Sequence, residues 1–254
     1  MLVAIVDQRG HAVESISAGD LSLRNAGASC DVIRVVHAAY PLAVVIDTSS
    51  YARAEFRELQ AAAQRFVTAL RPRPLAVYAS GAPGGRVQEF TDDRNSIAQG
   101  LSSVAAAPNA GAATLETIRR ASTDLARLKT PVGALVVVSA GGTETSPPTM
   151  QEVWSALSSS STILNVIDER SNRISRGQPQ ENQGDALEVL ARRSHGKYIR
   201  GTSAAVYDSG LQAIRDALDS QFVVRYAVRA GAPHDLNILV KPTELVVMAI
   251  DLDR

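Results

Sequence analysis

Apolar and polar positions alternate in two different ways along this chain. Residues 1 to 40 show only short apolar runs broken by turn residues. LVAIVD leads into the turn QRGHAV, and the runs LSLRN and CDVIRVV flank NAGAS, a glycine-containing hairpin connection. No helical period appears before residue 51. From residue 41 continuous apolar runs alternate with amphipathic stretches. LAVVID, ALVVVSA and TILNVID are apolar almost throughout, which predicts strands buried on both faces.

Between these strands the spacing is helical. Phe56, Leu59, Ala63, Phe66 or Val67, and Leu70 recur at steps of three and four, and Pro72 and Pro74 end the pattern. PLAVYAS and RVQEF are strands joined by the short turn GAPGG, so they pair antiparallel. Helices are predicted over about 95–104, capped by Asp93 or Asn95, and over about 113–128. MQEVWSALSSS, DALEVLARRS and AAVYDSGLQAIRDALDSQ are further helices, the second ending near Gly196 as a C-cap. KYIR and FVVRYAV are strands. Residues 169–184 are polar without period and read as a mobile surface loop. LNILVK and ELVVMAIDL are β again.

The centre therefore predicts a mostly parallel sheet with helices on both faces. Neither end has enough strands to stand alone. The expected organisation is an N-terminal β segment at 1–40, an α/β domain at 41–228, and C-terminal strands at 229–254 that pair with the first segment in a small accessory β subdomain.

Composition narrows the function classes. With 26 basic and 26 acidic residues the chain is neutral and has no basic stripe, which argues against a nucleic-acid partner. Cys30 is the single cysteine, so neither an intrachain disulfide nor a thiolate cluster is possible. No apolar run is long enough to span a membrane. Met1 runs directly into a strand pattern, without the segments of an export signal. The histidines His11, His37, His195 and His234 lie in separate segments without metal-ligand spacing. YASGAPGG lacks the Lys-Ser/Thr of a phosphate loop, SAGGTET lacks dinucleotide spacing, and no G-x-S-x-G elbow is present. Asp168 and Glu169 read as solvated charges at a strand end. Nothing rises to an enzyme signature.

The run LAVVIDTSSYARAEFRELQAAAQRFVTAL, followed later by ALVVVSAGGTET, resembles a von Willebrand factor A domain. More narrowly, the chain is similar to A-domain-related proteins of acidobacterial type. VAIVDQRGHAV, GDLSLRNAG, DTSSY, FVTALRP, EFTDDR, LARRSHGKY, SQFVVRY and HDLNILV follow that family's short motifs in order across nearly the whole chain. The resemblance implies a three-layer, Rossmann-like α/β fold. Its sheet would have six mostly parallel strands with one antiparallel edge. It also implies a metal-ion-dependent adhesion site where three loops meet, and an extracellular or periplasmic setting.

Carried onto this sequence, that metal site is degenerate. Asp47 and Ser49 match the first loop, but Tyr51 stands where a second serine belongs. In the second loop Ala113 falls at the threonine position, with Thr114 beside it. In the third loop Ala140 replaces the aspartate, and Glu144 lies further along. Magnesium needs near-octahedral oxygen geometry, so missing ligands matter. The simpler role for Asp47 is to accept bonds from the following backbone amides and cap the helix.

Three readings follow. The leading one is a non-enzymatic module that binds a protein partner, with no cofactor, through Asp47, Thr48, Ser49, Ser50, Tyr51, Thr114, Gly141, Gly142, Thr143 and Glu144. Tyr51 is its best contact residue, and packing against the neighbouring loop is the alternative role for that ring. The second is magnesium- or manganese-dependent adhesion through Asp47, Ser49, Thr114 and Glu144. The third is an enzyme working at the strand ends.

Overall fold

A computed structural model describes residues 1–169, 183–227 and 235–250. Four strands open the chain: β1 (Leu2–Asp7), β2 (Leu21–Asn25), β3 (Ala28–Cys30) and β4 (Val32–His37). The middle alternates β5 (Leu42–Ile46), α1 (Phe56–Ala69), β6 (Leu75–Ala79), β7 (Gly85–Thr91), α2 (Arg94–Ser103) and α3 (Thr114–Arg127). It continues with β8 (Gly133–Ser139), α4 (Met150–Ser159), β9 (Thr162–Glu169), α5 (Gln183–Arg193), β10 (Tyr198–Gly201) and α6 (Ala205–Asp219). Strands β11 (Gln221–Tyr226), β12 (Leu236–Val240) and β13 (Leu245–Ile250) close it. The chain divides into two compact units. One is Ala39–Ile214, and the other joins Met1–Ala38 with Arg215–Asp253.

In the larger unit six strands lie in the order β10-β9-β8-β5-β6-β7, parallel except for the antiparallel edge β7. Every residue of β5, β8 and β9 is buried, as their unbroken apolar runs require when helices cover both faces. Helix α1 turns Leu59, Ala62, Ala63, Phe66 and Val67 inward. A core on the other face joins Val45, Tyr78, Ile118, Leu135, Val166 and Leu190. Asp93 caps α2 by accepting the N–H groups of Asn95 and Ser96, so the nearer of the two candidate caps serves. Thr149 and Glu152 form a reciprocal capping box on α4, a signal legible as T-x-x-E.

Helix α5 ends differently from expectation. His195 takes the left-handed conformation (φ 61°), while Gly196 serves close approach. A Cβ on Gly196 would lie 1.9 Å from the Leu164 carbonyl oxygen. Of the stretch expected to loop, Glu169 closes β9 and Gln183 opens α5. Residues 170–182 and His234 lie outside the described residues.

The smaller unit has two antiparallel sheets, β13-β1-β11-β4 and β12-β2-β3. Val3, Ile5, Leu21, Phe222 and Val224 form its core. Strand β11 corrects the expected boundary at 228. It pairs with β1 and β4, not with the parallel sheet. Its burial alternates along Phe222, Val223, Val224 and Arg225, the mark of a strand with one face covered. The single strand expected at CDVIRVV is likewise shared. Ala28–Cys30 pairs with β2, and Val32–His37 pairs with β11.

Candidate functional site

Strands β5, β6 and β8 deliver their following loops to one end of the six-stranded sheet. Hydrogen bonds join these loops to the segment before α3. The Thr48 hydroxyl accepts the Gly81 N–H at 2.7 Å, and the Thr48 carbonyl accepts that of Ala107 at 2.8 Å. Ser50 donates its N–H to the Ala110 carbonyl at 2.9 Å, Ala113 to Ser80 at 2.6 Å, and Thr145 to Ala112 at 2.8 Å. The predicted residues Asp47, Thr48, Ser49, Ser50, Tyr51, Thr114, Gly141, Gly142, Thr143 and Glu144 belong to this one connected set of loops and the helix start beside it.

Asp47 is buried, and both its carboxylate oxygens face backbone donors. Oδ1 accepts the Ser49 N–H at 2.8 Å, and Oδ2 accepts the Ala140 N–H at 3.0 Å. The first bond is the local one expected. The second ties the end of β5 to the loop after β8 and replaces the expected helix cap. Ser49 is fully buried, and its Oγ has no partner among the described residues. Ala113 and Ala140, in the neighbouring loops, are buried.

Glu144 reaches the start of α3. Its Oε2 accepts the N–H groups of Thr114 and Leu115, both at 3.1 Å. Its Oε1 accepts the N–H and hydroxyl of Ser146 at 3.0 and 2.6 Å. The N-cap residue of α3, Ala113, has no side chain able to cap. A carboxylate thirty positions along the chain therefore satisfies two of the helix's open donors and complements its dipole. Ser146 Oγ accepts the next N–H, that of Glu116, at 3.2 Å.

Tyr51 packs against the neighbouring loop, the alternative role considered for its ring. Its ring lies so close to Gly142 that a Cβ there would be 2.5 Å from Tyr51 Cδ2. Its hydroxyl donates to Thr143 Oγ1 at 3.3 Å, yet the residue stays 45% exposed.

Behind the loops lies a buried group that sequence reasoning passed over. Tyr207 on α6 is fully buried, and its hydroxyl has no partner among the described residues. Burial and the negative charges of Glu169, Glu55, Asp47 and Asp168 push its phenol well above the ordinary range. Asp168 and Glu169, expected as solvated charges, are instead buried, and Asp168 Oδ2 accepts the Tyr198 hydroxyl at 2.6 Å. Their apolar strand continues under helices to its last residue, so no solvent reaches them. A tyrosine in AAVYDSG carries no sequence signal for such a position.

Among the described residues no three His, Cys, Asp or Glu side chains converge as a metal-holding group. As arranged, the loops offer backbone N–H groups to both Asp47 and Glu144.

This architecture decides the family resemblance at the level of fold. The chain has the von Willebrand factor A fold. It is similar to BatB from Bacteroides thetaiotaomicron, a conserved hypothetical protein, with a TM-score of 0.53 and 17% identity over 69% of this chain and 97% of that one. It is also similar to an aerotolerance-related membrane protein from Bacteroides fragilis, at 0.53 and 18% over 71% and 98%. A von Willebrand factor type A protein from Catenulispora acidiphila gives 0.57 and 13%, covering 85% of this chain and 50% of that one. No protein-family model and no curated protein matches the sequence.

Proposed function

We propose that this von Willebrand factor A module is a non-enzymatic protein-binding domain whose strand-end face engages its partner without a bridging divalent ion. The observation that carries this reading is the engagement of both candidate acids by backbone amides. Asp47 holds Ser49 and Ala140, and Glu144 holds Thr114 and Leu115. The same amides fix both carboxylates in place, and methyl groups stand at two further positions where the resemblance puts ligands. What remains on the surface is a held aromatic side chain among hydroxyls, a composition suited to protein contact.

One observation favours the second reading, metal-dependent adhesion: the buried Ser49 Oγ has no partner among the described residues. Thermal unfolding with and without millimolar magnesium or manganese separates the two. A ligand that binds only the native state raises the melting temperature with concentration. The proposed module keeps one melting temperature throughout, and a saturable rise abolished by Asp47→Ala would overturn the proposal in favour of the second reading.

A further inference from the structure

The structure assigns a second protein-binding site to the outer edge of β4, where an extended acidic segment adds as a fifth strand and sets a carboxylate against Arg34 and Arg225. The site lies in the smaller unit and does not rest on the reading of the strand-end face. β4 ends the four-stranded sheet β13-β1-β11-β4. Its hydrogen-bonded neighbour is β11, and no other described segment bonds to the main chain of residues 32–37. An open row of N–H and C=O groups is a template for another polypeptide, not for a lipid or a free ion.

The side chains on this edge set the occupant's charge. The β4–β11 register places Arg34 directly opposite Arg225 and Val36 opposite Val223, and it shifts only beyond Arg225. All of these residues are exposed, so the two pairs share the outward face of the sheet. Cross-strand partners stand about 5 Å apart, and like charges so placed repel. Arg34 with Arg225 is the one like-charge pair in direct register among the described strands. Neither arginine makes a side-chain hydrogen bond or ion pair among the described residues, and the exposed Asp31 beside β4 pairs with neither. A single charge on an edge strand guards it against chance pairing. The second arginine, on the inner neighbour, guards nothing and adds repulsion.

A strand laid beside β4 would place one side chain opposite Arg34 and another, two positions along, opposite Val36 on the same face. An Asp or Glu at the first position meets Arg34 across about 5 Å and Arg225 across about 10 Å between Cβ atoms. Both long side chains can lean toward it, so one acid relieves a repulsion that the free protein holds. A Val, Ile or Leu at the second position extends the exposed pair of Val36 and Val223. The occupant is therefore an extended segment with an acidic residue two positions from an aliphatic one. Other edges lack this combination. β3 and β10 are three and four residues long, Arg86 and Glu89 on β7 pair with each other, and β12 and β13 carry no charge. A second copy of β4 would bring a further arginine to the pair and is not the occupant.

The test is selection from a displayed random-peptide library against the full chain, run in parallel on wild type, Arg34→Glu, Arg225→Ser and Tyr51→Ala. Wild type should enrich Asp or Glu two positions from Val, Ile or Leu. Arg34→Glu should bind those peptides about tenfold more weakly and enrich Lys or Arg in place of the acid. Arg225→Ser should weaken the same peptides and keep or raise the melting temperature, since it removes a repulsion. A clear fall in melting temperature would overturn the repulsion on which the site rests. Methylating alternate backbone nitrogens of an enriched peptide should abolish binding in one phase and spare it in the other, because only every second N–H faces β4. Binding that survives both phases, peptides indifferent to Arg34→Glu, or no enrichment at all would overturn the site. If every recovered peptide is lost with Tyr51→Ala and keeps its affinity for Arg34→Glu, the β4 site fails and the strand-end reading stands.

Discussion

The loop after β5 and the loop after β8 each bring one acid to the same end of the sheet, and the two acids do different work. Asp47 sits at a strand end, is 1% exposed, and joins two neighbouring loops through both oxygens. Glu144 sits further along its loop, is half-buried, and closes the open end of a helix. One is part of the frame, the other a clasp between a loop and that frame. A carboxylate in a metal-type loop need not wait for a metal, because unpaired backbone N–H groups are also in want of an acceptor.

The largest expected effect separates frame from clasp. Asp47→Ala leaves two buried N–H groups without acceptors and should cost about 2–4 kcal/mol in chemical denaturation. If the loss is no greater than that of Glu144→Ala, the distinction fails.

Next comes the contact that joins the two loops. Gly142→Ala places a Cβ against the Tyr51 ring and should cost about 1–2 kcal/mol. Tyr51→Ala should recover most of that loss in a double-mutant cycle. Simple additivity would mean the ring does not bear on Gly142.

Glu144→Ala should cost about 1 kcal/mol, the usual worth of a helix cap, with faster amide exchange at Thr114 and Leu115. Exchange unchanged at those two amides would remove Glu144 from the cap.

The smallest effect is a pH dependence on the same helix. Hydrogen bonding to Arg119 holds the Glu116 carboxyl below its ordinary range, burial opposes this, and Arg120 adds to it. A depressed folded-state value stabilises the protein above the ordinary glutamate range, and that contribution disappears as pH falls through the folded value. Glu116→Gln should therefore flatten the acid limb of stability by less than about 1 kcal/mol and leave neutral-pH amide exchange at the Glu144 cap unchanged.

Much of the fold was legible in the sequence. Unbroken apolar runs in β5, β8 and β9 announced buried parallel strands, and the three-four spacing of α1 announced its inward face. The loops expected to meet do meet. Less legible was which sheet takes β11, since α-then-β order is the same whether a strand continues the parallel sheet or leaves it. Glu144 was placed in the right loop, but its target, two amides thirty positions earlier, depends on how the loops fold over one another.

By itself, the sequence determined the alternation of strands and helices and the burial of the central sheet. These follow from side-chain polarity and period, which are local properties. Tertiary structure alone decided that Asp47 and Glu144 are engaged by backbone, that Asp168 and Glu169 are buried, and that Tyr51 rests on Gly142. Those outcomes depend on which donors and surfaces lie within about 3 Å of a group, a distance that separation along the chain does not encode.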